Sequence, residues 1–177
     1  MRNIFFICLS LLFVGCAAKI PFSKQLMDDF NLTEKELRKV QFYTSHTIIL
    51  ERQTSKSNNA RAVDRGELVV SSSSLSERIV IPANRRCILD GIDEETGDVK
   101  VRFEMGAGRY LTFTTVPNRN NQRMYLKAVW RDGRGELDYG GGVYFAVGTS
   151  SAAYLQVKLK QLQRNRRSDR VVKGMRV

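Results

Sequence analysis

Histidine, cysteine and acidic residues are all scarce in this chain, with one His, three Cys and 18 Asp and Glu in 177 residues. The single histidine, His46, stands in Thr44-Ser45-His46-Thr47 with no Cys, Asp or Glu at metal-ligand spacing. A zinc site would need Cys87 and two carboxylates beside it, an uncommon donor set, so His46 reads as structural or exposed. Cys87 lies between Arg86 and the apolar pair Ile88-Leu89 without the turn chemistry that surrounds a nucleophile, and reads as a small buried hydrophobe. Glu104 and Glu136 are available as a carboxylate pair for glycoside hydrolysis, but nothing in their local sequence singles them out.

The glycine clusters are equally short of chemistry. Gly133-Arg134-Gly135 and Gly140-Gly141-Gly142 lack the Gly-x-x-x-x-Gly-Lys-Ser/Thr arrangement that cradles phosphate, and read as turns between antiparallel strands. Met105 to Arg109, with two glycines, fits a hairpin. Asp93 to Asp98 is acidic but lacks the ligand order of an EF-hand, and reads as the turn of a hairpin. Together these absences argue against the motif-borne enzyme classes and leave a non-enzymatic role as the expectation, with a hydrolase acting on glycan or peptide and a carrier of a small apolar ligand as alternatives.

What is present begins at the N-terminus. Met1-Arg2-Asn3 places one positive charge before the uncharged run Ile4 to Val14, which is too short to span a bilayer and right for the apolar region of a signal peptide. Phe13-Val14-Gly15-Cys16 follows: an apolar residue, a β-branched residue, a small residue and a cysteine. This segment resembles the lipobox of bacterial lipoproteins, although that family usually has Leu where Phe13 stands. The resemblance implies removal of residues 1–15, acylation of Cys16 with palmitate-type chains as the only covalent addition, and no other cofactor. Each buried CH₂ contributes about 0.8 kcal/mol, so several chains hold durably where one does not. Ala17, in place of the Asp that commonly retains lipoproteins on the inner membrane, implies the outer membrane, facing the periplasm. On this reading Cys8 leaves with the leader and Cys16 takes lipid, so Cys87 has no disulfide partner.

Residues 16–22 read as a lipidated tether and residues 23–44 as a short helical segment. Ser23 caps a first helix, and Thr33 with Glu36 has the capping-box form for a second expected to run to about Tyr43. From residue 45 to 160 short runs rich in β-branched and aromatic residues alternate with polar turns, which predicts a mainly β domain, an antiparallel barrel or sandwich. The expected strands are Thr47–Arg52, Glu67–Ser72, Glu77–Ile81, Arg86–Ile92, Val99–Met105, Tyr110–Thr115, Arg123–Trp130, Gly142–Val147 and Tyr154–Leu159. In the fifth of these, strict alternation sets Val99, Val101, Phe103 and Met105 inward. Thr54–Ala60 and Pro117–Gln122 read as loops.

The formal net charge of +11 is concentrated at the C-terminal end. Lys158, Lys160, Arg164, Arg166, Arg167, Arg170, Lys173 and Arg176 face a single Asp169, and residues 161–177 form the basic tail. Such a segment buries too little to order itself and points to an anionic partner. In an exported protein that partner is an anionic surface or polymer of the envelope, or a subunit of an envelope protein complex. Nucleic acid shares the electrostatics but not the address.

Overall fold

A computed structural model of the chain describes residues 18–56, 62–64, 67–69, 73–117 and 122–166. The expected lipidation site Cys16, and Arg167, Arg170, Lys173 and Arg176 of the tail, lie outside them. The fold is mainly β: two antiparallel sheets, with a few short helices.

The described residues begin with strand β1 (Lys19–Pro21), then α1 (Lys24–Asp29) and α2 (Glu34–Leu37). Both helices begin where the sequence places them. Ser23 accepts from the Leu26 amide, and Thr33 and Glu36 form a reciprocal capping box. The second helix stops at Leu37 instead of continuing to Tyr43, because Phe42–Thr44 becomes strand β2 with all three residues buried. Burial of Val40 and Phe42 against the sheet outweighs the local helical pattern.

The remaining strands are β3 (Ile48–Lys56), β4 (Ala62–Asp64), β5 (Glu67–Val69), β6 (Ser73–Ile81), β7 (Arg86–Ile92), β8 (Val99–Arg102), β9 (Tyr110–Thr115), β10 (Met124–Leu126), β11 (Val129–Arg131), β12 (Arg134–Tyr139), β13 (Gly142–Val147) and β14 (Leu155–Lys158). One sheet has the order β1-β14-β2-β7-β8-β9-β10, the other β11-β12-β13-β3-β6, and β4 and β5 form a small ribbon. The core is one cluster drawn from both sheets and both helical ends, including Phe22, Leu37, Phe42, Leu50, Phe113 and Leu162.

The seven-stranded sheet curls strongly but does not close into a barrel. Its last strand is drawn back by isolated bridges, Tyr125 to Tyr154 and Ser23 to Arg123, and by Phe22, whose amide donates to Leu155 O (2.8 Å) and whose carbonyl accepts from Met124 N (3.1 Å). A two-sheet sandwich is therefore the better description of the two architectures expected.

Several strands depart from the sequence reading. The expected strand Arg123–Trp130 splits into β10 and β11, one in each sheet, so the chain changes layers at Lys127-Ala128. Alternation in β8 ends at Arg102. Val99 and Val101 are buried as expected, but Phe103 is only half-buried and Met105 is 84% exposed. There the chain leaves the sheet, held by the Arg102 guanidinium donating to Gly106 O. Strand β12 begins inside Gly133-Arg134-Gly135, which the sequence gives only as a turn. The turn is Asp132-Gly133, both at positive φ, and Gly135 belongs to the strand because its missing side chain makes room for Trp130. Strand β3 also continues through Thr54–Lys56, where a loop is expected, because it pairs residue for residue with β6 as far as Ser73.

Candidate functional site

The two ends of the described chain meet at one sheet edge. In β1, Lys19 lies opposite Lys158, Ile20 opposite Val157 and Pro21 opposite Gln156 of β14. The strand is short, yet apolar residues at every second position fix it: Ile20 packs on the core, and Phe22 is fully buried with its ring edge-on to Phe42 at 5.1 Å. The expected tether 16–22 is thus largely part of the fold. Cys16 precedes Lys19 by three residues, a chain length of at most about 11 Å.

Alternation along β14 buries Leu155 and Val157 and brings Gln156 and Lys158 to the other face. The Lys19 ammonium sits 4.3 Å from the centre of the Tyr43 ring and that of Lys158 5.8 Å from it. Lys19 Nζ also donates to Asn84 Oδ1 at 2.8 Å. Two ammonium groups converge on one ring, which attracts each of them while they repel one another. An anion above them would be favoured by both.

Beyond β14 the chain turns directly into α3 (Leu159–Arg166). Leu162 is fully buried while Lys160 and Gln163 are exposed. The expected boundary of the tail at residue 161 therefore cuts a helix that belongs to the core. Arg164 and Arg166 stand at its C-terminal end. Of the candidate anion-binding residues, the structure brings Lys158 to the same edge as the start of β1 and adds Lys19, which composition alone does not distinguish, while Lys160 follows on α3.

The candidates for catalysis are not gathered in one cleft: Cys87 and Glu104 line a pocket of about 230 Å³ with Arg86, Ile88 and Arg102, and neither His46 nor Glu136 joins them there. Cys87 is 2% exposed on β7, opposite Phe42, and burial pushes its thiol far above the usual range. His46 sits in the corner between the sheets, its Nδ1 bonded to Ser45 Oγ (2.8 Å) and its ring edge-on to Tyr154. Glu104 accepts from the Tyr139 hydroxyl (2.9 Å) and from Arg109 Nη1 (3.3 Å) beside a cleft of about 260 Å³ that Glu77 and Tyr144 also line. Burial, then the Glu104 carboxylate, pushes the Tyr139 hydroxyl well up. Glu136 is exposed on β12 and lines a different groove, of about 640 Å³, with Lys100, Tyr110 and Lys127. The two carboxylates do not share a cleft.

The acidic loop Asp93–Asp98 is a turn, with Asp93 Oδ1 accepting from the Glu95 and Thr96 amides and Gly97 at φ 72°. Asp98, at its end, is 3% exposed and ion-paired with Lys127. The Glu77–Tyr144 and Glu104–Tyr139 neighbours and the Asp98–Lys127 pair are invisible in the sequence because each joins segments about 30 residues or more apart in the chain. Among the described residues no group of three or more His, Cys, Asp or Glu is placed to hold a metal ion. Comparison with protein-family models, curated proteins and solved structures finds no match to this chain.

Proposed function

We propose that the chain is a lipid-anchored envelope protein of the outer membrane, a non-enzymatic structural or accessory subunit that uses its basic C-terminal segment to contact an anionic surface or partner. The observation that carries the reading is the pairing of Lys19 with Lys158. It sets the segment following Cys16 and the segment leading into the basic residues side by side on one edge. Acyl chains and cations would then act on one surface, the two-signal arrangement that makes anchoring durable.

The rival readings draw less support. A hydrolase built on Cys87, His46, Glu104 and Glu136 needs them in one cleft, whereas Cys87, its thiol buried, shares a pocket with Glu104 alone of the other three and Glu136 lines a different groove. A carrier of an apolar ligand needs space where Phe22, Phe42 and Phe113 are packed at 0% exposure.

The test is metabolic labelling with fatty acid followed by fractionation of envelopes. The natural chain is expected to take up label and sediment with the outer membrane, while Cys16→Ser stays unlabelled and moves to the soluble fraction. A natural chain that takes up no label would remove the anchor. Replacing Arg164, Arg166, Arg167, Arg170, Lys173 and Arg176 with Gln should leave labelling intact and abolish salt-sensitive co-purification with partners. Unchanged co-purification at low and high salt would remove the tail from the mechanism.

A further inference from the structure

We infer that the outer face of the seven-stranded sheet around Tyr43 docks flat on an anionic phospholipid bilayer, with Lys19, Arg86 and Lys158 holding the head-group phosphates and Ile88 entering the interface. Register places the three cations together. Tyr43 lies opposite Arg86 on β7, and the Lys19 and Lys158 ammonium groups lie over its ring. The inward-facing residues of the same strands, Phe42, Cys87 and Val157, are buried in the core, so their neighbours point outward.

Among the described residues ion pairs engage Arg38, Arg78, Arg102, Arg109 and Lys127, and Lys19, Arg86 and Lys158 have no ion-pair partner. Glu104 lines one pocket with Arg86 and Ile88, while Asp90, two residues beyond Ile88 on β7, is paired with Arg102. The neutral Gln156 and Tyr43 separate the cations on β14 and β2, and on the other side of β7 the ladder with β8 stops at Ile88–Arg102, short of Glu104. Ile88, two residues beyond Arg86 on the same side of β7, is 52% exposed. Cations flanking an exposed aliphatic side chain suit the head-group and acyl boundary, where charge meets phosphate and the apolar group meets chain. A bilayer is chosen over a soluble anion by position. This inference rests on acylation of Cys16, which would hold the face within about 11 Å of chain from the lipid.

The acylated chain purified from envelopes and placed in vesicles tests it, with phosphatidylglycerol and phosphatidylcholine mixed in one set and phosphatidylcholine alone in the other. Amine labelling read by mass spectrometry should be slowed about threefold or more at Lys19 and Lys158 by the anionic lipid, and restored by salt. Lys35 and Lys39, exposed on the α2 side, should label alike in both. The same protection must persist when the six basic residues from Arg164 to Arg176 are replaced by Gln, and Arg86→Gln with Ile88→Ser should reduce it without altering the thermal midpoint. Equal labelling of Lys19 and Lys158 in both vesicle sets, on a chain whose intact mass shows acylation, overturns the docking face. An intact mass without lipid, with protection still present, overturns the anchor and leaves the face standing.

Discussion

Cys87 and Asp98 are both almost sealed from solvent, and their surroundings send them in opposite directions. Cys87 has apolar neighbours that disfavour the thiolate, so the thiol is pushed up and its nucleophilicity suppressed. Native protein should therefore resist iodoacetamide at pH 8 and become alkylated only on addition of denaturant, as mass spectrometry would register; rapid native alkylation would contradict the buried placement. For Asp98, burial pushes the carboxyl up, but hydrogen bonds from Lys127, Thr114 and Thr96 and the charge of Lys127 more than offset this and hold it below the usual range. A carboxyl held lower in the folded than in the unfolded chain stabilises fully above its unfolded value, about 3.9, and that contribution is lost as pH falls through the folded value. Asp98→Asn should thus cost about 1–2 kcal/mol at pH 7. Urea titrations should show the gap closing below about pH 4.

At the scale of elements, two hairpin turns hold the five-stranded sheet in register. Asp132-Gly133 and Gly140-Gly141 both have two central residues at positive φ, the geometry of the tight turn that matches strand twist. At Gly141 (φ 79°) no atom lies within 4 Å of an added Cβ, so Gly141→Ala isolates the backbone cost. It should lower stability by about 1–2 kcal/mol. Gly140→Asn should leave the urea midpoint unchanged to within about 0.5 kcal/mol, since Asn tolerates this conformation. These glycine clusters were readable as turns because the dipeptides themselves demand positive φ. The strand between them was not readable, since Arg134-Gly135-Glu136-Leu137-Asp138-Tyr139 has no β-branched residue. Its formation depends on Trp130 covering Gly135 and on pairing to both β11 and β13.

For the whole molecule, the decisive feature is that both ends of the described chain are built into one edge. Helix α3 is fastened by Leu162, fully buried in the common core. Leu162→Ala should destabilise by about 2–4 kcal/mol in thermal or urea unfolding. A truncation after Lys158 should lower stability at least as much, so charge substitution, not deletion, separates the tail's electrostatics from its share of the fold. A wild-type midpoint in either variant would show that the helix is dispensable and return the boundary to residue 161.

The sequence by itself determined what depends on neighbours along the chain: the two helix caps, the alternating strands β7, β9 and β13, the glycine turns and the crowding of positive charge near the C-terminus. Those signals are local because they arise from φ preferences, side-chain reach over three or four residues, and the two-residue period of a strand. Tertiary structure alone decided that Phe42–Thr44 leaves the helix, that Lys127-Ala128 crosses between sheets, and that Lys19, Arg86 and Lys158 share a face. Each of those outcomes is set by burial and pairing between segments far apart in the chain, where the free energy comes from contacts that no stretch of sequence contains.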